Sequence, residues 1–391
     1  MKYTFPFLIT FFWFLSGFGQ DSIFNRLATE NLKLFTPQAE SFTGDGWDYI
    51  KNKVENSQNV LIGEDHFSNE IPFFITAVSD ITKFDNFYVE VDPYTTRIID
   101  DSFKLTPEKR KDFNNKYKSI LSFYSLKPEY DMLAHIKNSG TNLLGSDQIV
   151  MYDDRLIFED IITRTKNTQA IPIYNYIIEK SIQHWEDFNN VTHNPMALFF
   201  MTEEFLEQLD KLEQLDLSEE EDQIIHDMRL SASIYKEQNH SKRVKLILHQ
   251  LMKDYPKWKD SKNLFKYGAN HLARGESFLT VYDIGNMVSN ITKSNFEESF
   301  HIMIIGESGF LGSIFEIFPP TKVDAENGFY LSYLKPFFNI TEGNQWHLFN
   351  MEPIRKAVEK NKLKIENVNL LRVIKGYDVL VIIPEVTPAK F

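Results

Sequence analysis

Apolar and polar positions divide the chain into short buried runs separated by longer amphipathic stretches. Val60-Leu61-Ile62, Phe87-Tyr88-Val89, Leu143-Leu144, Leu264-Phe265, the run from Ile302 to Ile305 and that from Val379 to Ile383 are of strand length. Most of them stop at a glycine or an acid. Helical spacing predicts helices from about 69 to 81, with Ser68 as N-cap, over 106–139, from 278 to 292 and from 353 to 360. Strands alternating with helices predict an α/β fold: a central, mainly parallel sheet flanked by helices. Residues 20–58 read as a leading helix and loops around Phe35-Thr36-Pro37, and 307–350 as loops with short strands.

From about 153 to 258 the strand pattern disappears. Leu198, Phe199, Phe205, Leu206, Leu209 and Leu212 recur at helical spacing, and so do Val244, Ile247, Leu248, Leu251 and Met252. This predicts a large helical insertion within one domain spanning 20–391. Its five histidines, His184, His193, His226, His240 and His249, read as surface or helix-packing residues.

Composition changes the picture in three places. A hydrophobic fraction of 42% with 34 Phe supplies a sizeable core. A net charge of -13, without any basic stripe, argues against nucleic acid as a partner. The absence of cysteine removes disulfides, thiol catalysis and thiolate metal sites. At the start, Lys2, the apolar run from Phe5 to Leu15 and the small residues Ser16-Gly17-Phe18-Gly19 have the form of a signal peptide covering 1–19. The expectation is an exported protein, periplasmic or secreted, with no membrane span after cleavage.

The candidate chemistry lies in two turns of the same grammar. Gly63-Glu64-Asp65-His66 and Gly268-Ala269-Asn270-His271 each follow an apolar run. If both strands are parallel, both imidazoles emerge at the carboxyl edge of the sheet, where ligand crevices form in α/β folds. Glu90 and Asp147 end neighbouring runs, whereas Asp92 before Pro93 reads equally as a helix cap. A neutral imidazole takes a proton from water, a carboxylate beside it fixes its tautomer, and a second imidazole serves a developing oxyanion. Equally, His66, His271 and Glu64 make a ligand set for Zn, Mn or Co. Arg274 either binds a substrate carboxylate or pairs with an acid at the sheet edge; Asp147 and Glu70 complete the candidate substrate-binding groups.

These two turns, Arg274-Gly275 and the strand-end Glu90 together resemble the superfamily of erythromycin esterases, ChaN-type haem-uptake proteins and the Tiki/TraB/GumN group. The stretch around His271 is similar to the TraB/GumN branch, and Leu144-Gly145-Ser146-Asp147-Gln148 to the esterase branch. The resemblance implies an α/β core with a helical elaboration. It also implies hydrolysis of ester or amide bonds in a small molecule or peptide, through Glu64, His66, Glu90 and His271. The Tiki branch implies a metal-dependent peptidase, and the ChaN branch a haem- or metal-binding uptake protein without turnover. One departure is plain: the esterases space the first pair as Glu-x-x-His, and here it is Glu64-Asp65-His66.

Overall fold

The computed structural model describes residues 22–325, 328 and 330–391, so the expected signal peptide lies outside the described residues. Its strands are β1 (Leu32–Pro37), β2 (Phe42–Thr43), β3 (Asn59–Glu64), β4 (Asn86–Val89), β5 (Asn142–Gly145), β6 (Asn263–Gly268), β7 (Ser299–Leu311), β8 (Thr321–Asp324), β9 (Trp346–Asn350) and β10 (Val379–Val386). They form one sheet in the order β2-β1-β9-β10-β7-β3-β6-β4-β5, with β8 paired to β7. From β10 to β5 all neighbours are parallel.

The expected mainly parallel sheet needs correction: β1, β2, β8 and β9 all pair antiparallel, so the sheet is mixed. The reason is where the chain stands when each strand begins. β7 ends at the carboxyl edge, and β9, antiparallel to β10, runs from that edge back down the sheet. The stretch around Phe35 also differs from its expected loop. It is β1, whose buried Phe35 packs edge-on to Phe42 and Trp346.

A ladder of four asparagines sets the register of the central strands. Asn59, Asn263, Asn86 and Asn142 stand at the starts of β3, β6, β4 and β5 and are direct register partners in turn. Asn263 Nδ2 donates to Asn59 Oδ1 at 2.7 Å, and Asn86 Nδ2 to Asn263 Oδ1 at 2.8 Å. Asn142 Nδ2 closes the row on Asn86 Oδ1 at 3.2 Å. A slip of one residue would turn every side chain to the other face, and here it would also break buried amide pairs. The aligned starts give aligned ends: Glu64 lies opposite Gly268, and Val89 opposite Gly145.

Between β5 and β6 every named element is helical, the longest being Glu219–Glu237, opened by a Ser218–Glu221 capping box. The helix His240–Lys253 brings its first turn to the carboxyl edge of the sheet. Past β6, the helix expected over 278–292 runs instead from Ile284 to Ser294. Asp283 is extended there and caps it, its carboxylate accepting from Ile284 N at 2.8 Å. Asp92 likewise caps the helix Pro93–Ser102, accepting from the amides of Tyr94 and Thr95.

Replacing Asn263 by Ala should cost about 2–4 kcal/mol, because Asn59 Oδ1 and the Trp258 and Ser261 carbonyls lose their shared donor and Asn86 Nδ2 loses one acceptor. Urea denaturation of Asn263→Ala beside the parent checks this; a loss under about 0.5 kcal/mol would remove the ladder from the account of register.

Candidate functional site

The aligned strand ends gather the two Gly-x-x-His turns around one carboxylate, that of Glu90. Glu90 sits just beyond β4 and accepts from the Gly268 amide at 2.6 Å and from Arg243 at 2.8 Å. Its other neighbours are the two imidazoles. His66 Nε2 lies 3.6 Å from Glu90 Oε2, and His271 Nε2 lies 3.3 Å from Glu90 Oε1. Each imidazole has its own second acid. His66 Nδ1–H donates to Glu64 Oε1, and His271 Nδ1–H to Asp283 Oδ2, both at 2.7 Å.

The glycines serve close approach rather than the tight turn expected at Gly63. A Cβ on Gly63 would stand 2.9 Å from the Tyr377 hydroxyl, and one on Gly268 would stand 2.9 Å from His66 Nε2. The positive φ falls on Phe67, at 75°, immediately after His66. Its carbonyl accepts from Gly312 and Ala389, which hold that conformation against its steric cost.

Burial separates the members. The side chains of Glu64, Glu90 and His271 are 1%, 7% and 4% exposed, whereas that of His66 is 25% exposed. His66 is therefore the member of the four most open to solvent. Its ring packs on Phe123, centroids 4.8 Å apart.

Electrostatics follows from this packing. Burial alone would lower the pKa of His66, but the hydrogen bond to Glu64 and the charge of Glu90 outweigh it and raise it. For His271 burial is likewise overcome by Glu90 and Asp283, which push it up to about 10. Glu90, despite burial, is held well below the usual carboxylate range by His271, His66 and Arg243. Asp65 is pushed up to about 6, mainly by burial.

Sequence reasoning missed the groups that support these residues. Lys266, in the middle of β6, is buried and donates to Glu64 Oε1 at 2.5 Å and to Glu129 at 3.1 Å. Its ammonium also lies 5.3 Å from the Phe123 ring centre. Burial opposes its charge, yet Glu129 and Glu64 keep it protonated. Glu129, in turn, is raised to about 7 by burial. A lysine within the apolar run Leu264-Phe265-Lys266-Tyr267 was a visible signal. Arg243, from the insertion, clasps Asp147 and Glu90 together, and nothing in its helical surroundings marked it.

The expected positions divide accordingly. The structure brings Glu64, His66, Glu90, His271 and Asp147 into one contiguous cluster at the sheet edge. Arg274 is elsewhere: it pairs with Asp378 and with the Ser299 carbonyl at the amino ends of β10 and β7. There it lines a separate cleft of about 420 Å³ with Tyr49, Lys53 and Arg355. Glu70 accepts from the Thr387 amide and hydroxyl, at 2.9 and 2.6 Å, and so tethers the end of β10. His240, expected to be a helix-packing residue, instead lies beside His271 with ring centres 5.6 Å apart. In the expected metal set of His66, His271 and Glu64, Glu64 Oε1 accepts from His66 and Lys266, while Oε2 has no hydrogen-bond partner.

No family model matches the sequence, and no curated protein matches it. Solved structures do match in fold. A mutant erythromycin esterase, EreC, in its open conformation aligns with a TM-score of 0.56 at 11% identity, over 88% of this chain and 94% of its own. The likeness is one of fold. A Bacillus cereus protein aligns with a TM-score of 0.52 at 15% identity, over 95% of this chain and 98% of its own. A succinoglycan biosynthesis protein gives 0.51 at 14% identity, again over 95% and 98%. The chain thus carries the helix-flanked central sheet seen in erythromycin esterase.

Lys266→Met should destabilise the protein by about 3–5 kcal/mol, since it leaves Glu64 and Glu129 buried without their cation. Adding Glu64→Gln and Glu129→Gln should restore part of that loss. Chemical denaturation of the single and triple variants measures both, and a single variant as stable as the parent would contradict the assignment of Lys266 as the cation that holds Glu64.

Proposed function

We propose that the protein is an exported hydrolase of ester or amide bonds in a small molecule or peptide. The observation that carries this reading is the pair of imidazoles on either side of Glu90, one a quarter exposed and paired with Glu64, the other buried between Glu90 and Asp283. His66 has Nδ1–H committed to Glu64, which leaves Nε2 with a lone pair at the exposed side of the crevice. That nitrogen takes a proton from water as the oxygen attacks the substrate carbonyl, and Glu64 offsets the imidazolium that forms. His271, held cationic between Glu90 and Asp283, supplies positive charge to the developing oxyanion and a proton to the leaving oxygen or nitrogen. Both rings are pushed toward the protonated form, so the division of roles rests on the exposure of His66 and the burial of His271 between two acids.

The fold shared with erythromycin esterase supports the hydrolytic class, and the Glu64-Asp65-His66 spacing argues for a different substrate. Export rests on the pattern from Lys2 to Gly19.

The test is a panel of p-nitrophenyl esters and short peptide amides assayed with the parent and two variants. His66→Ala should lower kcat/KM by about 10²–10⁴-fold with an unchanged circular dichroism spectrum. Glu64→Gln removes an anion that raises the His66 pKa, so the acid limb of the pH–rate profile should move to lower pH. A substrate cleaved equally well by the parent and by His66→Ala would overturn the assignment.

A further inference from the structure

We propose that His240, His271 and Asp283 form a binding site for a divalent cation of the zinc type, and that its occupancy switches the hydrolytic centre off. One ring nitrogen of each histidine and one carboxylate oxygen of Asp283 lie within 4.8 Å of one another. Two imidazoles and one carboxylate with an open fourth position form a ligand set that suits Zn²⁺ and its spectroscopic substitute Co²⁺. Bonds of about 2.0–2.2 Å need these atoms somewhat closer together, a contraction that rotation of the His240 ring supplies.

The second observation is independent of that spacing. His240 Nε2 is shut off from solvent and has no hydrogen-bond partner, although its ring lies against that of His271. A buried ring nitrogen without a partner costs about 1–3 kcal/mol, and an ion between the two rings would relieve it. The surrounding charge also favours a cation. Glu90 and Asp147 stand beside the cluster, and the neighbouring Arg243 is already clasped by both of them. His240 comes from the helical insertion and Asp283 caps the helix after β6. The ion would therefore fasten the insertion to the sheet edge.

The inhibitory effect follows from the lone pair that coordination needs. A metal takes a ring nitrogen of His271 only after that nitrogen gives its proton to solvent. The bound ring is then a neutral imidazole, a far weaker acid than the imidazolium it replaces, and can no longer protonate the leaving group. This half of the proposal rests on the hydrolase reading, whereas the binding half does not.

The test uses the full chain stripped with a chelator and titrated with CoCl₂, then with ZnCl₂. Expected are one ion per chain, visible Co²⁺ absorption in the 500–700 nm region on the order of that of tetrahedral sites, and displacement of Co²⁺ by Zn²⁺. His240→Asn should weaken binding at least about tenfold. Each form is also assayed with and without zinc, relative to its own metal-free rate: the parent should be inhibited stoichiometrically and His240→Asn should not. Absence of a stoichiometric ion, or equal affinity in His240→Asn, overturns the site. Binding without loss of rate overturns the inhibitory role. Metal binding by a protein that hydrolyses nothing on the panel leaves the site standing and removes the hydrolase reading instead.

Discussion

Everything at the carboxyl edge depends on one buried, ionised carboxylate. Taking a carboxylate out of water costs several kcal/mol unless cations and donors replace the solvent it loses. Glu90 receives those replacements from four directions: the Gly268 amide, Arg243, His66 and His271. They come from three parts of the chain, the turn after β3, the turn after β6 and the insertion, so the charge is satisfied only when all three are in place. The same contacts that make the site possible therefore hold the sheet edge, both Gly-x-x-His turns and the insertion together.

Around that carboxylate, acids and bases alternate across the crevice. Glu129, Lys266, Glu64, His66, Glu90, His271 and Asp283 form one continuous row of ionisable groups, each in contact with the next. Such a row is costly to bury for stability alone. Its two ends differ in what they do to their imidazole. Lys266 draws on Glu64 and so tempers its pull on His66, while Asp283 acts on His271 without any such competitor. Two chemically identical rings thus acquire different surroundings from their second neighbours.

The strands of the parallel half, and the pairing of the two turns, were legible because strand ends are marked in one dimension: an apolar run, then glycine, then polar groups. The antiparallel half was legible only in part: short strands were expected within 307–350, where β8 and β9 lie, but β1, which mixes polar with apolar residues, read as a loop and joins the sheet through its pairing with β9. Arg274 shows the opposite limit. Its place three residues after His271 suggested a shared site, but the backbone turns down along β7, where the Arg274 amide meets Gly376 and the guanidinium meets Asp378. Arg243 and His240 were invisible for a related reason. Their role depends on how the insertion docks on the sheet, and local helical spacing carries no information about that.

The central claim is that Glu90 binds the insertion to the sheet edge through Arg243. A double-mutant cycle on stability, with Glu90→Gln, Arg243→Met and the double variant unfolded in urea, measures it most directly. The account predicts a coupling of at least about 1.5 kcal/mol, each single variant costing far more than its change costs in the background of the other. Additivity within about 0.5 kcal/mol would contradict it.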